Sequence, residues 1–243
     1  MSWYQTGNDG RKRSKVEDAA SAKRREQSGV SRFWQGNDEK CKIVCLDTPE
    51  FFFHEHNLWA LTGQVDFETC IKDSDEGACP LDEIGRAAYS LAGTIIDTRE
   101  FDSKKDPGKK YKNQKRLFVL KRKARENFLR ESEEQKHDLK FAVFAVERGS
   151  SKNESGTGEY FKYLGRLTEE KLMKLLPEGE KFAVWSKPID YAKVLAPKSA
   201  AQLRKLTGGA APVGSDEDIL DDLETDGGSP LDDETVGGID DLL

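Results

Sequence analysis

Two histidines one residue apart, His54 and His56, close the run FFFHEH, and cysteines follow at positions 70 and 79. Imidazole nitrogen and thiolate sulfur together select zinc over magnesium or calcium, and a closed tetrahedral set of them is structural. The simplest set is His54, His56, Cys70 and Cys79, with thirteen residues between His56 and Cys70 and eight between Cys70 and Cys79. Asp82, three residues after Cys79, stands where a zinc knuckle has its second cysteine and is a substitute for one of the four. One structural Zn2+ per chain is the expectation. The alternative is a half-buried strand carrying two solvated histidines, with the cysteines as small loop residues. Cys41 and Cys45 lie an even number apart in a hydrophobic segment and read as core.

A second group concentrates charge. Lys104, Lys105, Lys109, Lys110, Lys112, Lys115, Arg116, Lys121, Arg122, Lys123 and Arg125 are interleaved with Phe101, Tyr111 and Phe118. Single-strand binders combine cations along the phosphates with aromatic faces on which bases stack regardless of sequence. Tyr111 is the best stacking candidate, because its lysine-rich turn offers no core, whereas Phe118 in LFVL belongs inside. Trp34 and Trp59 are ambiguous. The alternative is a solvated hairpin. Catalysis has little to stand on: there is no phosphate-binding glycine loop, no GxSxG and no HExxH. Asp97 and Glu100 would face opposite sides of a regular strand and so not converge on a metal. A non-enzymatic protein is expected.

These residues need elements to position them. In an extended strand Phe52, His54 and His56 share one face and Phe51, Phe53 and Glu55 the other, with the imidazoles about 7 Å apart. Strands are expected at residues 40–46 and over FFFHEH, joined as a hairpin by the Asp47-Thr48-Pro49 turn, and again at 91–101, 115–121, 139–147 and 159–164. Residues 122–136 read as a helix, Thr168 as the N-cap of a short one, and two more short helices fall near 190–195 and 199–206. The fold class expected is mainly β with inserted helices (α+β): a small closed β-barrel of the OB type, with a zinc-binding subdomain at about 51–85.

The chain has 243 residues, 36% hydrophobic and 35% charged, a modest core with long solvated segments. No stretch reaches membrane-span length and no apolar leader opens the chain, so a soluble intracellular protein with reduced cysteines is expected. The net charge of -6 conceals a split: twelve of the 45 acidic residues and none of the 39 basic ones follow residue 215. The other 33 acids face 39 bases, so a basic body carries an acidic tail. The organisation read from this is a basic N-terminal arm over 1–30 (RKRSK, KRR), a core over 31–207, and a disordered acidic tail over 208–243. The tail's carboxylates can occupy a basic groove as phosphates do. Its terminal Asp240, Asp241, Leu242 and Leu243 suit a partner dock, acids steering and leucines burying. A rival reading is an adaptor or transcription regulator acting on duplex DNA and RNA polymerase, though no recognition-helix pattern supports it.

Taken in order, RFWQGNDEKCKIVCLD, FFFHEH, the Cys70 to CPLD segment, GTIIDTREF, KYKNQKRLFVLKRKA and the acidic end resemble the single-stranded DNA-binding proteins of tailed bacteriophages. The resemblance covers most of residues 1–206 and rests on the order of segments. It implies an OB-type core, a zinc subdomain with His and Cys ligands, and a basic arm for cooperative self-association along the strand. It also implies an acidic tail that contacts replication proteins such as DNA polymerase, helicase or primase, or recombination enzymes. The implied role is coating and protecting single-stranded DNA during replication, recombination and repair in the host cytoplasm. Asp82 departs from the family pattern, which commonly has cysteine there.

Overall fold

The computed structural model describes residues 30–63, 66–74, 77–102, 108, 110–135, 138–150 and 156–207. The expected arm, Val30 apart, and the expected tail with Asp240, Asp241, Leu242 and Leu243 lie outside these residues, as do Lys104, Lys105 and Lys109.

Seven strands form one antiparallel sheet: β1 (Lys40–Cys45), β2 (Phe51–Asn57), β3 (Phe67–Thr69), β4 (Ala88–Asp97), β7 (Gln114–Lys121), β8 (Ala142–Glu147) and β9 (Tyr160–Arg166). A two-stranded ribbon, β5 (Phe101–Asp102) with β6 (Lys110–Tyr111), extends the β4–β7 hairpin. Among the described residues the helices are α1 (Trp59–Thr62), α2 (Arg122–Glu134), α3 (Glu169–Met173), α4 (Phe182–Trp185), α5 (Tyr191–Val194) and α6 (Ala200–Thr207), with a 3-10 turn at Pro80–Glu83. As expected, Thr168 caps α3, its hydroxyl accepting from the Lys171 N–H, and Asp190 caps α5 in the same way.

The expected hairpin between β1 and β2 does not form. Both strands lie along one edge of β4, Ile43–Cys45 opposite Asp97–Ile95 and Phe51–Glu55 opposite Ala92–Ala88, so they run on in one direction as a single interrupted strand. Leu46 continues the ladder through its N–H to the Thr94 carbonyl at 2.9 Å. The Asp47 carboxylate then accepts from the Thr94 N–H at 2.9 Å, in place of a backbone carbonyl. Pro49, which has no N–H to give, packs over Gly93, where a Cβ would come within 2.6 Å of its ring.

The other edge of β4 pairs with β7 over eight positions, from Ser90↔Lys121 to Asp97↔Gln114. With both faces covered, β4 is buried from Ser90 through Asp97, and its apolar residues Leu91, Ala92, Ile95 and Ile96 serve both faces while the polar Ser90, Thr94 and Asp97 are buried with partners. On one face Leu91 and Ile95 join Phe33, Phe118, Phe128, Phe144 and Phe161. Phe118 meets Phe33 and Phe128 edge to face, each at 5.6 Å between centroids. Truncating Phe118 to Ala there would cost about 3–5 kcal/mol. On the other face Ile96 and Val143 lie under Leu167, Leu172 and Trp185, and Ala92, Leu117 and Val119 under Ile189 and Leu195.

Among the described residues the sheet is open, with no ladder joining β7 to β9. The gap is dressed in two ways. Residues 31–33 run along the free edge of β7 through Phe33 N–H to Leu117 O and Leu117 N–H to Ser31 O, and Gln35 N–H then reaches Gly156 O. From α2, Asn127 donates to the Glu159 carbonyl and Glu131 accepts from the Tyr163 N–H, so side chains satisfy the edge of β9.

Candidate metal centre and nucleic-acid interface

The strand parity holds in β2. Phe51 and Phe53 pack towards Tyr191, and Glu55 is buried between Arg32 and Lys121, while Phe52, His54 and His56 point the other way. The two histidines nevertheless meet different neighbours. His54 lies over Tyr89, centroids 4.8 Å apart, with its Nδ1 2.6 Å from an Asp73 carboxylate oxygen. His56, at the end of the strand, is buried against the segment carrying the cysteines.

His56, Cys70, Cys79 and Asp82 form a group whose four ligand atoms all lie within 4.8 Å of one another, and which can hold a metal ion. His56 Nε2 stands 3.5 Å from Cys79 Sγ and 3.5 Å from Asp82 Oδ1. Metal–ligand bonds of about 2.0–2.3 Å in a tetrahedron put neighbouring ligands about 3.3–3.8 Å apart, so these spacings suit one ion. His56 Nδ1 donates to the Gly85 carbonyl at 3.0 Å, which fixes the tautomer and leaves the Nε2 lone pair facing the sulfurs. Burial pulls the His56 pKa down, keeping the ring neutral. Burial likewise pushes the Cys70 thiol up to about 11, a thiol that an ion would ionise. Asp82 therefore takes the place expected for His54.

Three elements build this group: β2 supplies His56, the turn after β3 supplies Cys70, and the 3-10 turn with its lead-in supplies Cys79 and Asp82. Leu58, Ile71 and Leu81 close around the cysteines, and Leu203 of α6 completes that core. Cys41 and Cys45 face the main core as expected, and burial pushes the Cys41 thiol up to about 12.

Arg116 apart, the described candidates of the basic run divide into three sets. Lys110 and Tyr111 are exposed on the ribbon and Lys112 just beyond it; Lys110 pairs with Glu100 at 2.5 Å and Tyr111 lies opposite Phe101. Arg122, Lys123 and Arg125 gather at the start of α2, with Arg125 bound to the Tyr89 carbonyl and 4.9 Å above its ring. Lys115 and Lys121 turn inwards instead: Lys115 Nζ donates to the carbonyls of Val184 and Lys187, and Lys121 Nζ pairs with Glu55 at 2.9 Å.

Composition alone did not point to a row of alternating rings and guanidinium groups. Arg148 lies 5.3 Å from the Trp34 ring, Arg99 stands 5.1 Å from the ring of Phe101, and Arg116 lies 5.3 Å from that same ring. Arg99 ties the row together, donating to Asp97, Glu39 and the Trp34 carbonyl. A further exposed pair, Phe52 and Tyr89, stacks at 5.5 Å. Outward positions in alternating strands were the available signal for Phe52 and Tyr89, and for Trp34 only the apolar pair Phe33-Trp34 before the first strand, and without known neighbours these do not separate them from Phe33 or Phe53. Asp97 and Glu100 engage different cations, Arg99 and Lys110.

Among the described residues no helix is long and apolar enough to cross a membrane. In comparisons with known proteins, no protein-family model matches the chain and no curated protein matches it significantly.

Proposed function

We propose that this protein binds single-stranded DNA without strong sequence preference, coating it during phage DNA replication, recombination and repair, and that it does so without catalysing a reaction. The observation that carries this reading is the row formed by Trp34, Phe101 and Tyr111 with Arg148, Arg99 and Arg116. It offers aromatic faces held in place by paired guanidinium groups, with the exposed Lys110 and Lys112 beside them, and without the regular recognition element that duplex readers present.

The strand order supports it. Strands β1, β4 and β7, then α2, then β8 and β9, pair β1 with β4, β4 with β7, β1 with β8 and β8 with β9, all antiparallel. That is the sequence of neighbours in an OB barrel, and we read the sheet as a partly open one, its last seam covered by residues 31–35 and α2. OB folds take oligonucleotides on the face of their second and third strands and on the loops after the first and fourth. Here the loop after the first strand is the insert holding His56, Cys70, Cys79 and Asp82, and the loop after the fourth carries Gly156, which lies beside Trp34. We assign the metal as Zn2+, because two thiolates and an imidazole favour it, with a role in holding this insert folded.

On this reading the arm supports self-association along the strand, and the acidic tail competes for the basic surface until DNA displaces it towards replication proteins. The deciding experiment is a titration of equal-length single-stranded and duplex DNA across a salt series. Preference for the single strand with a log-log slope of roughly −2 to −4 is expected, for about three to five neutralised phosphates. Equal affinity for the two forms overturns the reading.

A further inference from the structure

Residues 33–35 alternate sharply in burial: Phe33 is 1% exposed, Trp34 52% and Gln35 0%. A single exposed aromatic residue carries no message. This one is held in place from three sides. Its neighbours are pinned by Phe33 N–H to Leu117 O at 2.8 Å and Gln35 N–H to Gly156 O at 2.7 Å, and its own carbonyl accepts from Arg99 Nη2 at 2.7 Å. The ring rests on Gly156, where a Cβ would stand 2.1 to 2.4 Å from the indole Cζ3, Cη2 and Cε3 atoms, so only glycine admits it. The Arg148 guanidinium lies 5.3 Å from the ring and is itself fixed, donating from Nη1 to the Gln35 carbonyl at 2.8 Å.

From this we infer that Trp34 is a pre-built stacking platform for one unpaired nucleobase, with Gly156 as the backbone seat that holds the indole in position. The inference rests on the single-strand reading above and names the residue that carries its base contact. The ordering of ring and backbone is completed on folding, so a base that lands there meets little further entropy loss. The platform also discriminates. A base in a duplex has both faces covered by its neighbours, whereas an unpaired base has a face to give. Phe101 with its two guanidinium groups continues the track through Arg99, which touches both the Trp34 carbonyl and the Phe101 ring.

The test compares full-length wild-type protein with Trp34→Ala, Trp34→Phe and Gly156→Ala on a short oligothymidylate, by fluorescence-anisotropy titration at several salt concentrations. Trp34→Ala should weaken binding about 5- to 150-fold with an unchanged salt slope, because a stacked base involves no phosphate charge. Trp34→Phe should recover most of the loss. Gly156→Ala should weaken binding while the melting temperature stays within a few degrees, since it displaces the indole without deleting it. If wild type binds the strand and Trp34→Ala binds within twofold of it, or if its loss comes with a smaller salt slope, the platform is refuted and the single-strand reading survives. If wild type shows no preference for the single strand, that reading falls and this inference falls with it.

Discussion

The Oδ1 atom of Asp82 stands 3.5 Å from His56 Nε2, the nitrogen that Cys79 Sγ also approaches to 3.5 Å. A carboxylate thus fills the corner where a third thiolate would make a more thiophilic site, and Asp82 is also the exposed member of the four. Protein purified without added metal should carry about one equivalent of zinc. Cys79→Ser should lose it and melt at lower temperature, His54→Ala should keep it, and Asp82→Cys should hold it more tightly against a chromophoric chelator. Loss of zinc from His54→Ala with retention in Asp82→Ala would assign the fourth corner to His54 instead.

Glu55 offers a separate test of the sheet. Burial pushes its pKa up, but the guanidinium of Arg32 and the ammonium of Lys121 more than offset this and hold the carboxylate ionised. Arg32 contributes two hydrogen bonds, at 2.7 and 3.2 Å, and both cations also cover the Phe67 ring. Removing the carboxylate leaves two half-buried cations facing each other. Glu55→Ala should therefore cost about 2–4 kcal/mol, somewhat less than the roughly 3–5 kcal/mol of a fully buried broken pair because both partners keep some solvent. Urea unfolding measures it, and a loss below about 0.5 kcal/mol would show that the pair is solvated in solution.

Periodicity made most elements legible, because the residues that signal them act locally. The mostly apolar strand segment 91–96, the helix over 122–134 and the Thr168 cap depend on neighbours within a few positions. The relation of β1 to β2 depends on a distant strand. Asp47-Thr48-Pro49 has the composition of a turn, and nothing nearby reveals that Gly93 leaves room for Pro49 or that Thr94 gives its N–H to Asp47. The metal group was legible by residue type, with Asp82 as the substitute ligand, and what was not legible is that Asp82 replaces His54. Parity puts His54 and His56 on one face, but only the fold brings Tyr89 and Asp73 to one and the cysteines to the other. Likewise Lys115 and Lys121 belong to the basic run by composition, and their partners come from residues 184–187 and Glu55.

Asp47 makes stability depend on pH. Burial pushes its carboxyl above the usual range, although the Tyr191 hydroxyl and the Thr94 N–H both donate to it. A raised native pKa means that the folded protein holds this proton more tightly than the unfolded chain, whose value is about 3.9. The stabilisation from protonation is complete below that value and is lost as pH rises through the native one. Asparagine keeps an acceptor there and does not titrate. The unfolding free energy of Asp47→Asn minus that of wild type should therefore rise as pH is taken from 3 upwards, and level off above the native pKa. Urea melts at half-unit pH intervals read this directly, and a difference that stays flat or falls with pH contradicts it.

Lys112 and Lys115 are three residues apart in the same basic run, yet their side chains have opposite destinations. Lys112 is exposed beyond the ribbon, whereas burial pulls the Lys115 pKa down and its Nζ donates to the carbonyls of Val184 at 3.0 Å and Lys187 at 3.2 Å. If Lys112 meets a phosphate of single-stranded DNA, Lys112→Ala should reduce the magnitude of the log-log salt slope by about 0.7 and leave the melting temperature unchanged. Lys115→Ala should do the reverse, leaving the slope as it is and costing about 1 kcal/mol of stability, because the two carbonyls lose their donor. Paired titrations and thermal melts on both variants distinguish the roles. Equal slope changes in the two would mean that Lys115 leaves its carbonyl partners to reach the strand, and would place the phosphate track on the side of the sheet facing α4.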